Sequence, residues 1–149
     1  MTKTLPNLDI EKSYKKNING FICGIDEVGR GCLAGPVVAA AIILNFDQIP
    51  EGINDSKTIS KIKREKIANN IKKYAVDISI GEATNQEIDE INILNASLLA
   101  MKRAFESLKE KTELALIDGI HSPNINCKTK SIIKGDTKSL SIAAASIIA

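Results

Sequence analysis

Four acidic side chains in this sequence have the chemistry and the placement of a metal site. Asp26 and Glu27 follow the apolar run 21–25, Asp118 follows a later apolar run, and Asp136 precedes a third. Each acid therefore lies at the end of a predicted strand or in the turn beyond one. If these ends converge, repulsion and lost hydration would cost on the order of several kcal/mol unless cations neutralise the charges. The pattern predicts a divalent-metal site.

The ligand type indicates which ion this site would take. Oxygen ligands without His or Cys favour Mg²⁺ or Mn²⁺ over zinc. Two such ions roughly 4 Å apart would activate a water molecule and stabilise the leaving oxygen of a phosphodiester. The four acids are therefore suited to metal-assisted phosphodiester hydrolysis.

The glycines after the acidic pair address a problem of geometry. Adjacent residues on a regular strand point to opposite faces, so Asp26 and Glu27 share a site only if the strand bends there. Gly29 and Gly31 would allow such a bend, and Arg30 between them can donate two hydrogen bonds to one phosphate. We expect a loop between two buried strands at 24–35.

Structural roles compete with these functional interpretations. A single Asp at a strand end is often a turn former or a helix cap, and the cap applies most directly to Asp136. His121, close to Asp118 in sequence, has an ordinary interpretation as a loop residue that competes with a catalytic one. A solvated surface charge is the default for four basic residues: Arg30, Lys57, Lys134 and Lys138.

The predicted elements that must position these residues run strand, strand, helix, strand, helix, strand, strand, helix. Apolar runs predict strands at 21–25, 36–44 and 114–117, and a short strand is predicted at 131–133. The alternation of Val76, Ile78 and Ile80 with polar residues predicts a further strand with one solvent-exposed face. This order favours a mixed sheet flanked by helices, an α/β fold.

Helical periodicity marks three segments between and after the strands. The segment 60–74 predicts an amphipathic helix with Ser60 as its N-cap. Its apolar face is assigned to Ile59, Ile62, Ile67 and Ile71. Thr84 and Glu87 predict a capping box, and the apolar stripe at 94–108 continues that helix or forms a second one directly after it. The chain is predicted to become helical again after residue 136.

Composition describes one ordinary domain, which we assign to residues 1–149, with 1–20 as a short helix or a loose arm. The chain has 149 residues, 26% of them charged and 3% aromatic, and a net charge of +2. Three cysteines without C-x-x-C spacing predict neither a disulfide framework nor a zinc site. Because no signal-like or membrane-length apolar segment is visible, we expect a cytoplasmic protein that does not contact a membrane. We also expect a monomer.

Four sequence blocks, taken together, resemble the type 2 ribonuclease H family, ribonuclease HII. They are Gly-Ile-Asp-Glu-Val-Gly-Arg-Gly with Leu-Ala-Gly-Pro-Val-Val-Ala-Ala-Ala at 24–41, Asp-Ser-Lys at 55–57, Leu-Ile-Asp-Gly at 116–119, and Lys-Gly-Asp followed by Ser-Ile-Ala-Ala-Ala-Ser-Ile-Ile-Ala at 134–149. The blocks occur in the family's order and span most of the chain. The resemblance implies an RNase H-like mixed five-stranded sheet flanked by helices.

The resemblance also implies a reaction and a set of site residues. It implies hydrolysis of the RNA strand of RNA/DNA hybrids, or of the bond 5′ to a single ribonucleotide in duplex DNA, with 5′-phosphate and 3′-hydroxyl products. Asp26, Glu27, Asp118 and Asp136 would be the metal-binding acids. The substrate contacts would come from Gly29, Arg30 and Gly31 near the ribonucleotide and from Lys57 near the phosphate backbone. Glycines suit this role because they let backbone groups approach a 2′-hydroxyl.

Two alternatives to an active nuclease of this family follow from the same residues. Family members usually continue with Lys-Val and a helical region whose tyrosine stacks near the ribonucleotide, and neither Tyr14 nor Tyr74 matches that motif. We therefore expect a shortened form, with an inactive or weakly active nucleic-acid-binding fragment as the alternative. A nucleotide-cofactor oxidoreductase is disfavoured, because Gly29, Gly31 and Gly35 miss the G-x-G-x-x-G spacing and lead into an apolar strand.

Overall fold

Five segments of the chain pair into one mixed sheet. The computed structural model describes residues 5–29, 35–53 and 60–149. The strands are β1 (Phe21–Val28), β2 (Val37–Ile43), β3 (Asp77–Ala83), β4 (Thr112–Asp118) and β5 (Lys128–Ile132). Their order across the sheet is β3-β2-β1-β4-β5; β1, β2 and β3 pair antiparallel, whereas β1, β4 and β5 pair parallel. The predicted mixed five-stranded sheet is confirmed.

Helices cover both faces of this sheet. In the described residues they are α1 (Asp9–Lys15), α2 (Lys61–Tyr74), α3 (Asn85–Glu106) and α4 (Leu140–Ile148), with a 3-10 turn at Gly135–Thr137 before α4. The apolar face of α3 packs on one side of β1, β2 and β4. On the other side, α2 and α4 pack together on β2, while α1 and α4 cover β1 and β4. The order of elements is the predicted one, with α1 inside the segment expected to be a short helix or an arm.

The predicted helix starts are also confirmed. The side chain of Ser60 accepts a hydrogen bond from the Lys63 amide at the start of α2. Thr84 and Glu87 form the capping box of α3. Non-helical backbone at Asn92 divides α3 into two segments, and the Asn92 side chain accepts a hydrogen bond from the Asn95 amide at 3.0 Å. The kink matches the alternative of a second helix directly after the first.

The prediction for the faces of β3 is wrong. Ile80, expected on the buried face, is 43% exposed, whereas Ser79 and Ala83 of the alternate set are buried. The reason is the packing of α3, which presses small side chains of β3 so closely that the Ser79 hydroxyl donates a hydrogen bond to the carbonyl of Ala104. Helix packing on small residues, rather than burial of the largest ones, sets this strand's orientation.

Smaller differences concern the lengths of strands and the stripe of α2. The first strand continues through the acidic pair to Val28, and β5 begins earlier than expected, at Lys128. Ile67 and Ile71 of α2 are buried, but Ile62 is 79% exposed. Ile62 lies five positions before Ile67, so its side chain points about 140° away from that of Ile67 around the helix axis. Ile59 lies outside the described residues.

The sequence predicts neither a disulfide framework nor a segment that spans a membrane. Cys23 and Cys127 are free thiols, and Cys32 lies outside the described residues. Within the described ranges, none of the helices combines the length and apolar character needed to cross a membrane.

Candidate metal centre

Asp26 is a buried carboxyl group near the end of the central strand. It lies on β1, pairs across to Ala40 of β2, and is only 6% exposed. Alternate strand residues share a face, so Asp26 lies on the same face as Gly24. A Cβ atom at Gly24 would come within 2.3 Å of the backbone of Ser141. The absence of a side chain at Gly24 therefore lets α4 lie directly on β1 beside Asp26.

Asp118 meets Asp26 at the end of the neighbouring parallel strand. The β1–β4 ladder pairs Ile25 with Ile117, and the two acids come one residue later. Their carboxyl groups share a hydrogen bond. Oδ1 of Asp118 also accepts a hydrogen bond from the backbone N–H of Gly135 at 2.6 Å. Two acids that are distant in sequence are thus in direct contact at one edge of the sheet.

This contact has an electrostatic consequence. Burial, followed by the neighbouring Asp118 carboxylate, raises the pKa of Asp26 from 3.8 to about 9. The charge of Glu27 adds to the increase, while the Glu27 N–H, which donates to Asp26 Oδ1 at 2.8 Å, opposes it. A buried carboxyl in this environment retains its proton near neutral pH unless a cation compensates the charge. The donor set therefore fits a hard divalent cation.

Glu27 follows Asp26 without the bend that the sequence argument required at the pair. The β1–β2 ladder continues through Glu27 and Val28. The irregular backbone comes after the strand, at Gly29, where φ is +93° and a Cβ atom would lie 2.6 Å from the carbonyl oxygen of Pro36. A side chain is excluded at Gly29 by both facts. The local reason for glycine at this position is therefore backbone geometry.

Asp136 lies in the 3-10 turn that connects β5 to α4. Lys134 precedes this turn in a left-handed conformation, with φ 53° and ψ 43°. The interpretation of Asp136 as the cap of the last helix is wrong, because the side chain of Ser139 accepts the capping hydrogen bond from Ile142 N–H at 3.2 Å. Asp136 directly follows Gly135, whose backbone N–H donates a hydrogen bond to Asp118.

The structure therefore brings part of the predicted acidic set together. Asp26 and Asp118 are in contact, and the charge of Glu27 acts on Asp26. Across residues 5–29, 35–53 and 60–149, no group of three or more His, Cys, Asp or Glu side chains has the arrangement of a metal site. Arg30, Gly31 and Lys57, the predicted substrate contacts, lie outside the described residues. His121, Lys134 and Lys138 have exposed side chains, in agreement with their ordinary surface roles.

One member of the site was missed by sequence reasoning, the backbone amide of Gly135. It is a donor rather than an acid, so a search for carboxylates does not find it. The available signal was the glycine directly before Asp136, since a residue without a side chain permits close approach of a backbone group. A Cβ atom at Gly135 would lie 3.3 Å from Asp118 Oδ1 and 2.5 Å from the side chain of Ile142.

The architecture is that of the RNase H-like α/β proteins. Among solved structures, the ribonuclease HII of Archaeoglobus fulgidus, determined in a complex with PCNA, superposes with a TM-score of 0.72. It is 28% identical, and the match covers 86% of this chain and 70% of that one. The sheet and its flanking helices therefore occur in a fold with solved representatives.

A family model described as ribonuclease HII matches residues 23–149, and the chain belongs to this family. The ribonuclease HII of Caldicellulosiruptor saccharolyticus is 48% identical over 95% of this chain and 69% of its own length. That of Caldanaerobacter subterraneus is 53% identical over 93% of this chain and 57% of its own length. The chain thus spans between 57% and 69% of the length of these two relatives.

Proposed function

We propose that this chain is a ribonuclease H, a metal-dependent endonuclease that cuts the RNA strand of RNA/DNA hybrids. We extend the proposal to the bond 5′ to a single ribonucleotide in duplex DNA, with 5′-phosphate and 3′-hydroxyl products. Membership of the ribonuclease HII family supports the reaction class. The observation that carries the proposal is the contact between Asp26 and Asp118 at the ends of two central strands.

The proposed metal ligands are Asp26, Glu27, Asp118 and Asp136. Glu27 would join the other three only if β1 bends when metal binds, because regular strand pairing places its side chain on the opposite face from that of Asp26. Mg²⁺ or Mn²⁺ ions held there would supply an activated water and stabilisation of the leaving oxygen. Asp26 and Asp118 present oxygen atoms on the α4 face of the sheet, and the Gly135 N–H fixes the orientation of Asp118. Burial of Asp26 under α4 keeps bulk water from the carboxyl group, which strengthens its attraction for a cation.

Substrate recognition is proposed for the segment after β1 and for the surface of α2. Gly29, Arg30, Gly31 and Lys57 are the proposed contacts to the ribonucleotide and the phosphate backbone. The exposed side chains of α2 include Lys61, Lys63, Lys66, Lys72 and Lys73, against a single acid on that helix, Glu65. Such a charge excess attracts a polyanion and would make binding dependent on salt concentration.

The decisive experiment uses a DNA duplex that contains one ribonucleotide, beside an all-DNA duplex of the same sequence. With Mg²⁺ or Mn²⁺, we expect one cut 5′ to the ribonucleotide and none in the control duplex, and EDTA should abolish cutting. Asp26→Asn and Asp118→Asn should abolish cutting with the fold retained. Asp89→Asn, on the exposed surface of α3, is the matched variant that should cut normally.

Two outcomes of this experiment would contradict the proposal in different ways. Cutting by a properly folded Asp26→Asn protein would refute the assignment of the metal centre. Binding of the ribonucleotide-containing duplex without any cutting would favour the nucleic-acid-binding fragment over the enzyme. Light scattering on the same sample tests our expectation that the chain acts as a monomer.

A further inference from the structure

Glu11 is a completely buried carboxyl group at the start of α4. It lies on α1, in the segment to which the sequence argument gave no role, and its exposed fraction is 0%. Its Oε2 atom accepts hydrogen bonds from the Ser139 hydroxyl at 2.9 Å and from the Ser141 N–H at 3.0 Å. Ser139 is the N-cap of α4 and Ser141 lies in its first turn, so Glu11 holds the start of that helix.

A second contact joins the same two segments. The backbone of Asn7 forms a parallel bridge with Ser139, and its carbonyl accepts a hydrogen bond from Leu140 N–H at 3.0 Å. The segment 5–15 is therefore attached to the start of α4 through both side-chain and backbone hydrogen bonds. The position of α4 relative to the sheet depends on these contacts and on the close packing at Gly24.

Hydrogen bonds connect this anchored helix start to the acids. The Ser139 N–H donates to the carbonyl of Gly135 at 2.8 Å. The Gly135 N–H in turn donates to Asp118 Oδ1 at 2.6 Å. Asp136 lies between Gly135 and Ser139 in the same turn. A shift of Ser139 would therefore move the donor that orients Asp118 and the backbone that carries Asp136.

A buried carboxyl group with a purely structural role reduces the stability of the folded state. In the described part of the chain, the second oxygen of Glu11, Oε1, has no hydrogen-bond partner. Burying such an oxygen destabilises the folded state, and an apolar residue of similar volume would avoid that cost. An apolar residue could not, however, accept the hydrogen bonds that the Ser139 hydroxyl and the Ser141 N–H donate at the start of α4.

We propose that Glu11 is a positioning residue, which fixes the turn 135–139 so that the Gly135 amide and Asp136 are held beside Asp118. This inference rests on the proposed function, because it assigns the turn to the metal centre. Glu11 acts through Ser139 and Gly135 and contacts none of the reacting groups.

The test compares Glu11→Leu, which fills the volume without an acceptor, with Glu11→Gln, which keeps one oxygen for both donors. The first readout is hydrogen exchange of the Gly135 amide in the metal-free full chain, relative to the Ile25 amide inside the sheet. Local opening raises this ratio, whereas a general loss of stability does not. We expect Glu11→Leu to raise it about tenfold or more and Glu11→Gln to change it less than about threefold.

The second readout is the binding of Mn²⁺ alone by calorimetry. Loss of a group that orients a metal ligand typically weakens binding about 10- to 100-fold, so Glu11→Leu should fall in that range and Glu11→Gln should restore most of the affinity. Asp9→Leu removes a carboxylate from an exposed position of the same helix and is the matched control. If Glu11→Leu does not fold, Ser139→Ala breaks the same connection with a smaller change.

The outcomes separate this inference from the proposed function. A folded Glu11→Leu or Ser139→Ala protein with the wild-type exchange ratio and the wild-type Mn²⁺ affinity would overturn the role of Glu11. A wild-type protein that binds no Mn²⁺ would instead refute the proposed metal centre. In that case the Gly135 exchange ratio still decides whether Glu11 fixes the turn.

Discussion

Replacing Asp26 with asparagine should stabilise the metal-free protein, and the gain should increase with pH. The folded state raises the pKa of Asp26 from 3.8 to about 9. Between these values the folded chain retains a proton that the unfolded chain has released, so the free energy of unfolding falls as pH rises from about 4 to about 9 and levels off above. Asparagine has nearly the shape of the protonated acid and removes this loss.

The size of this gain in stability follows from the difference between the pH of the measurement and the pKa of Asp26 in the unfolded chain. At pH 7.5 the difference is about 3.7 units, which corresponds to an upper limit of about 5 kcal/mol. Water penetration and relaxation around a buried carboxyl reduce such penalties. We therefore expect a gain of about 2 kcal/mol or more at pH 7.5 and a gain close to zero near pH 4.

The assay is urea unfolding of both proteins in EDTA between pH 4 and pH 9, followed by circular dichroism. Asp89→Asn, which removes an exposed carboxylate of α3, should stay within about 0.5 kcal/mol of wild type at every pH. Adding Mn²⁺ should stabilise wild type by mass action and should stabilise Asp26→Asn less. A folded Asp26→Asn protein that is no more stable than wild type at any pH above 5 would refute the electrostatic reasoning.

Three further predictions concern packing, capping and charge. Gly24→Val should destabilise the protein by more than about 3 kcal/mol, or prevent folding, because its side chain would collide with the α4 backbone; near-wild-type urea unfolding would contradict this packing. Thr84→Ala should cost about 1 kcal/mol through loss of the capping box, measured by the same unfolding assay, and an unchanged midpoint would show that the cap contributes nothing. The double variant Lys63→Glu/Lys66→Glu should weaken binding of a ribonucleotide-containing duplex and flatten its salt dependence by about one unit per lost phosphate contact. Its control reverses two exposed lysines before β4, at 109 and 111, and equal loss in both proteins would refute a role for α2.

The elements with a strong local signal could be predicted from the sequence. Apolar runs identified β1, β2 and β4, and the side chains of Ser60 and Thr84 marked helix starts, because these signals depend on neighbouring residues alone. The faces of β3 could not be predicted in the same way. The burial of Ser79 instead of Ile80 depends on how closely α3 approaches the strand, which is a property of the tertiary packing.

The candidate site shows the same division between local and distant information. The acids were found because their residue type restricts the chemistry, and Asp26 and Asp118 do meet. The alternative of Asp136 as the cap of α4 is wrong because Asp136 and Ser139 are both good capping residues, and only the path of the turn selects Ser139. Glu11 carried no signal at all, since its partners lie about 130 residues away in the chain.

The parallel pairing of β1 with β4 also has a consequence for the order in which the molecule folds. The antiparallel set β1-β2-β3 joins segments that are close in sequence, whereas the contact of Asp26 with Asp118 closes a loop of about 90 residues. Long loops are closed slowly, because their conformational entropy must be lost before any contact compensates for it. The contact between the two acids is thus expected to form after the antiparallel set, so the onset of Mn²⁺ binding during refolding would time the pairing of β1 with β4.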